Sequence, residues 1–335
     1  MILVTGATGL VGGHLIRHLL QHNDKIVALR REKSNLTPLR AILRFYGENV
    51  DEMMSRIEWR FADMNDDASL KRAFEGIEYV YHCAAVVSLG KGDVDLLRTN
   101  IEGTARLTQI CLDKQIKKLC FVSSIAACGK AEKHREIHEE LPWVEDPDRS
   151  VYARSKYLAE QEVWKAIDKG LPAVIVNPGV ILGFSGTSSG SAQIFTQMRK
   201  GLLFYTLGGS GYVDVKDVVL SMIGLMKSDV VGERYILVGE NRSNKEILTL
   251  IAKGFKKQPP FINIGKGLLL FVGSLSETLA KLFRFTPLID RSLARSASNR
   301  SYYSNKKISK QLNIKFTPIA ETIAGVCDFM LKEQS

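Results

Sequence analysis

Ile2-Leu-Val-Thr-Gly6-Ala-Thr-Gly9-Leu-Val-Gly12 governs how the rest of the chain is read. A short apolar run enters three glycines spaced three apart, and an amphipathic stretch, Leu10–His22, follows at once. A strand that turns sharply into a helix needs glycine in three places: at the turn, where backbone approaches a ligand, and where the helix packs on the sheet. The helix then aims its free N–H groups and positive dipole end back at the turn, a geometry suited to phosphate. A glycine triplet alone is weak evidence; the strand before it and the helix after it give it weight.

The same alternation continues downstream. Strand-like runs stand at Ile2–Thr5, Lys25–Leu29, Glu58–Ala62, Tyr79–Ala84, Lys118–Ser123 and Ala173–Asn177. Amphipathic segments lie between them at Leu10–His22, Ala68–Phe74, Asp95–Lys114 and Tyr152–Lys169. This βαβα order predicts an α/β fold, a Rossmann-type doubly wound parallel sheet with a smaller C-terminal substrate domain. Gly232–Val238 reads as one more strand of that sheet. Residues 179–212 are rich in glycine and read as a loop excursion on the substrate side. Asn244–Phe255 and Leu268–Phe283 read as helices of the smaller part. The expected organisation is a dinucleotide-binding domain over 1–178, rejoined by 212–238, with 179–211 and 239–335 forming the substrate-binding part.

Composition agrees with a globular protein: 335 residues, 45% hydrophobic and 24% charged. Cys83, Cys111, Cys120, Cys128 and Cys327 are odd in number, lack CxxC spacing and sit mostly in apolar runs. They read as reduced core thiols, and with no secretory leader pattern before the first strand the expected location is cytoplasmic. The charge is uneven. Residues 1–241 carry 30 Lys/Arg and 30 Asp/Glu, whereas 242–335 carry 16 Lys/Arg against 6 Asp/Glu, so the net +10 belongs to the C-terminal part. Such a surface attracts anionic substrates or acidic membranes; the plain alternative is a solvated basic face. Nucleic acid is not expected. Leu268–Phe285 is the most apolar stretch, but Glu277, Lys281 and Arg284 interrupt it, which argues against a membrane span. It reads as a core or pocket helix, with peripheral membrane contact left open.

The chemistry concentrates in Tyr152-Ala-Arg-Ser-Lys156, which puts a phenol and an ammonium on one helix face. An ammonium beside a phenol is expected to lower its pKa and make Tyr152 a usable acid or base. Ser123-Ser124, ending a buried strand upstream, could add a hydroxyl at the same carbonyl. At the end of the second strand, where an NAD site places a ribose-binding carboxylate, stand Arg30 and Arg31. Arginine there pairs with a 2′-phosphate, so NADP(H) is favoured and NAD(H) stays open. His14, His18 and His22 are spaced for zinc on one helix, but no further ligand completes a set, so no metal is expected and they read as surface residues, as do His134 and His138.

These residues resemble the extended short-chain dehydrogenase/reductases, grouped as the NAD-dependent epimerase/dehydratase family. The resemblance covers about residues 1–240 and rests on TGATGLVG at 5–12, Asp63 after the third strand, Ala84-Ala85, Asn100, Ser124, Tyr152, Lys156, Asn177-Pro178-Gly179-Val180 and the Tyr212-Val-Asp214-Val-Lys-Asp217 segment. It implies cofactor contacts from Thr5, Gly6, Thr8, Gly9, Leu10, Val11, Gly12, Arg30, Arg31, Asp63, Met64, Ala84, Ala85, Ser123, Tyr152, Lys156, Pro178, Gly179 and Val180. Ser124, Tyr152, Lys156 and Asn100 are implied as the catalytic set. Where Asn177 stands the family commonly has arginine. The Ala85-Val-Val-Ser88 run and the NPGVILG run at 177–183 look like the dihydroflavonol reductase and hydroxysteroid dehydrogenase branches. The implied activity is NADP(H)-dependent oxidoreduction of a ketone or secondary alcohol; the alternative is a nucleotide-sugar epimerase or dehydratase using the same site. A small-molecule substrate, anionic or amphiphilic, and a homodimer complete the expectation.

Overall fold

The computed structural model describes residues 1–86, 97–132, 135–146, 149–186, 190–265, 267–269, 271 and 297–333. In chain order the strands are β1 (Ile2–Thr5), β2 (Ile26–Arg30), β3 (Ile57–Phe61), β4 (Tyr79–His82), β5 (Lys118–Val122), β6 (Glu136–Ile137), β7 (Ala173–Pro178) and β8 (Val180–Leu182). They continue with β9 (Phe204–Tyr205), β10 (Gly209–Asp214), β11 (Glu233–Leu237), β12 (Glu240–Ser243), β13 (Ile262–Asn263) and β14 (Tyr302–Tyr303). Seven of them form one sheet, in the order β3-β2-β1-β4-β5-β7-β11, and every pairing within it is parallel. The order reverses between β1 and β4, the switch point beside which doubly wound folds bind ligands.

Burial on both faces explains the near-continuous apolar strands; all six residues of β7 are buried. Helices Leu10–Leu20 and Val215–Lys227 cover one face, where Leu15, Leu19, Val218 and Met222 join Val4 and Val176. Helices Asp67–Ala73, Gly103–Asp113 and Val151–Asp168 cover the other, where Leu70, Leu107, Ile110 and Val163 meet Val80, Leu119 and Ile175. Each such fully buried side chain contributes about 1.5–3 kcal/mol. A third cluster, with Phe195, Met198, Ile247, Ile251, Ile323 and Cys327, lies beneath the small sheet β12-β10-β8.

Three sequence expectations need correction. Residues 179–212 are not simply loop: they hold β8, the helix Ala192–Arg199, β9 and most of β10. Glycines taken as loop signals are close approaches inside β10, since a Cβ on Gly211 would lie 2.6 Å from Val238 and one on Gly209 2.7 Å from the Arg242 carbonyl. Second, His14 and His18 are buried rather than on the surface. His14 donates through Nε2 to the Phe184 carbonyl at 2.8 Å and accepts from the Tyr46 hydroxyl at 2.6 Å, while His18 Nδ1 donates to the His14 carbonyl. These bonds tie the first helix to distant segments. Third, the stretch expected as helix from Asp95 has a π-type turn at Arg98–Glu102 before the helix Gly103–Asp113. Asp95, Ser88, His134 and most of the Leu268–Phe283 segment lie outside the described residues.

Acidic residues of the Tyr212–Asp217 segment dock the C-terminal part. Asp217 accepts from the Thr317 amide at 2.7 Å and hydroxyl at 3.0 Å, and Asp214 accepts from Thr322 at 2.7 Å.

Candidate active site

The glycine turn sits at the C-terminal end of β1. Gly6 has φ +68°, and a Cβ there would lie 2.7 Å from the Ala84 amide nitrogen and the Cys83 carbonyl carbon. Only glycine satisfies both the conformation and the space. Gly12 serves packing, because a Cβ on it would fall 2.2 Å from the Gly6 carbonyl oxygen. Gly9, the N-cap of Leu10–Leu20, offers no side-chain cap, so the first N–H groups of that helix have no side-chain partner there.

A network missed by sequence reasoning holds the opposite wall. Pairing of β1 with β4 puts Thr5 beside His82. The Thr104 hydroxyl donates to the Asn100 carbonyl at 2.6 Å, so toward His82 Nε2, at 3.1 Å, it accepts. His82 Nδ1 then accepts from the Thr5 hydroxyl at 2.8 Å, and the same hydroxyl accepts from the Ala84 amide at 3.1 Å. Every donor and acceptor in that chain is used once, with a neutral imidazole. Burial, aided by the charge of Lys156, lowers the His82 pKa to about 3. The network sets Ala84 and Ala85 across from the glycines.

Between these walls lies a cleft of about 290 Å³. Thr5, Gly6, Thr8, Gly9, Arg30, Arg31, Asp63, Met64, Ala84 and Ala85 line it, as foreseen for cofactor contacts. Cys83, Ser34, Asn65 and Thr99 line it too and were not foreseen. A second cleft, about 670 Å³, shares Arg31, Ala62 and Asp63 with the first. Leu10, Val11, Gly12, Ser123, Tyr152, Lys156, Pro178, Gly179, Val180 and Asn100 do not line either space. The Arg30 guanidinium stacks 4.6 Å from the Phe61 ring, and its Nε is buried without a partner. The exposed Arg31 has its backbone N–H on the Ser34 hydroxyl at 3.0 Å. These features fit a dinucleotide: a glycine cradle with free amides at one end, and cations with a hydroxyl at the other.

Ser124, two residues beyond β5, opens a turn, its hydroxyl oxygen accepting from the Ala126 amide at 3.1 Å. Ser150 caps the helix Val151–Asp168, accepting from the Ala153 amide at 3.1 Å, and so fixes Tyr152 in its first turn. The Tyr152 phenol stands beside Ser124. Its pKa is raised by burial, with Ser124 opposing, which differs from the lowering expected from Lys156. The reason lies in the lysine's direction: its Nζ donates to the Val122 carbonyl at 2.8 Å and stands 4.8 Å from the Phe121 ring. Burial lowers the Lys156 pKa to about 8, against the raising charge of Glu160. Asn100 spends its amide on Val86, at 2.8 and 3.0 Å, and on Ser155 at 3.2 Å. It therefore anchors the segment after β4 to the Tyr152 helix.

The family model described as NAD dependent epimerase/dehydratase family matches residues 2–239. The chain belongs to this epimerase/dehydratase family. Similar proteins include sterol demethylase protein B of Methylococcus capsulatus, 29% identical over 85% of this chain and 84% of that protein. Another is a putative dihydroflavonol 4-reductase of Synechocystis, 28% identical over 96% of this chain and 92% of that one. Among solved structures, UDP-glucose 4-epimerase of Thermotoga maritima superposes with a TM-score of 0.77 over 100% of this chain and 99% of that chain, at 18% identity, a likeness of fold alone.

As a member of the epimerase/dehydratase family the chain departs from the family pattern at Asn177, and the structure shows how the site accommodates it. Asn177 donates to the Ser124 carbonyl at 3.0 Å and to Glu160 at 2.8 Å. Glu160, fully buried, also accepts from the Ser123 hydroxyl at 2.6 Å and pairs with Arg234 of β11 at 3.1 Å. The cation beside Glu160 comes from β11, the strand next to β7. Ser123 is committed to Glu160 and not to the cleft. Arg234 donates in turn to the Glu139 carbonyl at 2.8 Å, and the Glu139 carboxylate accepts from the Ile236 amide at 2.8 Å. Arg234 stands beside Glu233 at the start of β11, so its sequence position alone did not mark this network.

Proposed function

We propose that this chain is an NADP(H)-dependent oxidoreductase acting on a ketone or secondary alcohol. The observation that carries the reading is the placement of Ser124 beside Tyr152, with Lys156 one helical turn on, in a fold whose dinucleotide cleft has Arg30, Arg31 and Ser34 just after β2, where an NAD site places a ribose-binding carboxylate. When bound, the nicotinamide supplies or accepts the hydride. The glycine turn and the N-terminus of Leu10–Leu20 hold its pyrophosphate. Arg30 and Arg31 select a 2′-phosphate by charge-assisted hydrogen bonds.

Tyr152 gives its hydroxyl proton to the carbonyl oxygen as that oxygen gains charge, and Ser124 hydrogen-bonds the same oxygen. A phenol kept protonated by burial suits an acid for reduction. Lys156, once turned from the Val122 carbonyl toward a ribose, stabilises the phenolate left behind. Asn100 and Glu160 act at a distance, Asn100 through Ser155 and Val86, Glu160 through Ser123 and Asn177. The relatives named for sterol demethylation and dihydroflavonol reduction support a reductase of apolar carbonyl compounds. Screening the protein for NADPH oxidation against ketones and against nucleotide sugars tests this. Net oxidation with ketones agrees with it, whereas sugar isomerisation without net oxidation overturns it in favour of an epimerase.

A further inference from the structure

We infer that the ribbon formed by β9 and β13 is a docking surface for an anionic lipid bilayer. The two strands pair in parallel, with Ile262 in register with Phe204. The Leu203 carbonyl accepts from the Phe261 and Ile262 amides at 3.1 and 3.0 Å, and the Tyr205 carbonyl accepts from Ile264 at 2.9 Å. The ribbon therefore satisfies its own backbone while its apolar side chains point outward. Phe261 is 69% exposed, and Leu203, Phe204, Leu207 and Ile262 are exposed beside it. Farther along, Leu268 is exposed and Phe271 is 65% exposed. Single exposed hydrophobics are ordinary, but a run of them on two joined segments marks an interaction surface.

Charge selects the occupant. Residues 199–211 carry Arg199 and Lys200 and no acid, and residues 253–271 carry Lys253, Lys256, Lys257 and Lys266 and no acid. Lys200, Lys256 and Lys257 are exposed. A second copy laid face to face would bring the same cations together, at an electrostatic cost. An anionic bilayer accepts the aromatic and aliphatic side chains at its acyl boundary and the ammonium groups among its phosphates. No helix among the described residues is long and apolar enough to cross a membrane. The ribbon's place is on the substrate side: β9 leads into β10, and β10 pairs with β8, which begins two residues after Pro178. The inference does not depend on the reaction proposed above, because its readout is partition and not turnover.

The test is co-sedimentation of the full chain with vesicles of phosphatidylcholine alone and of phosphatidylcholine mixed with phosphatidylglycerol. The protein pellets with the mixed vesicles and not with phosphatidylcholine alone, and it is released near 1 M salt, where screening is complete within about 3 Å. At about fivefold per basic residue near an anionic surface, K256E/K257E lowers the partition roughly 25-fold or more. Phe261→Ser weakens it at low salt. Both sites are exposed, and unchanged thermal melts confirm that the variants fold. Protein left in the supernatant with both vesicle types overturns the inference, as does pelleting that ignores lipid charge and the lysine changes. A concentration-dependent dimer abolished by Phe261→Ser, without vesicle binding, assigns the patch to a second copy and overturns it equally.

Discussion

Replacing Arg234 by methionine probes the polar network behind the two serines. The substitution keeps an unbranched apolar stem but leaves Glu160, 0% exposed, without the cation now 3.1 Å away. Breaking a buried ion pair from one side costs about 3–5 kcal/mol, because the remaining charge stays desolvated. Three donors survive around Glu160: Ser123 at 2.6 Å, Asn177 at 2.8 Å and Trp164 at 3.3 Å. Arg234 also retains some contact with solvent, at 17% exposure, so the loss belongs at the low end, about 3 kcal/mol. Three further bonds, two to the Glu139 carbonyl and one to the Leu141 carbonyl, disappear with it, which keeps the loss from being smaller. Urea unfolding measures it as a drop in midpoint at constant slope. The double variant E160M/R234M should recover much of the stability, since apolar replacement of a whole buried pair is often neutral. A loss below about 1 kcal/mol in Arg234→Met, the range of exposed pairs, would refute the reasoning and show that water already screens Glu160.

Arg30→Asp should weaken NADPH binding by about 1.5–3 kcal/mol while changing NADH far less, as titration of each cofactor would show; equal affinity of the unaltered chain for the two contradicts the arginine reading. Stability should fall as pH drops below 6.5. Burial lowers the pKa of His14 to about 4 and of His82 to about 3 and also lowers that of His18, so the unfolded chain takes up protons that the folded chain refuses. Their stabilisation is complete above the unfolded pKa near 6.5 and declines toward pH 4 and below, at up to roughly 1.4 kcal/mol per pH unit for each histidine; urea midpoints that stay flat between pH 7.5 and 5 would contradict it. The expected homodimer predicts twice the 37.3 kDa chain mass by light scattering, and a monomer at micromolar concentration speaks against it.

Much of the fold was readable because its decisive signals are local. A strand buried on both faces is apolar throughout, and the β1 turn needs its glycines wherever the chain is cut. Gly6, Gly9, Arg30 and Arg31 were read from the same local logic, whereas Asp63 was implied by the family resemblance. What escaped depends on partners far along the chain. His14 is satisfied by Tyr46, 32 residues away, and by Phe184, 170 away, so its helix position looked polar and exposed. Glu160 finds Arg234 74 residues on. The direction of Lys156, toward Val122 rather than Tyr152, depends on how the helix lies against β5. Gly209 and Gly211 misled for a related reason: glycine signals a turn and a close approach alike.

Deuterium transfer from C4-labelled NADPH to a ketone, followed in the unaltered chain and in Tyr152→Phe, tests the central claim most directly. The account predicts one deuterium on the carbinol carbon of the product for each NADPH consumed. In Tyr152→Phe the rate should fall by about 10²–10⁴-fold, the usual contribution of a positioned acid, with NADPH affinity nearly unchanged because the ring still packs. Label absent from the product, or a variant that keeps most of its rate, would contradict hydride delivery to a carbonyl protonated by Tyr152.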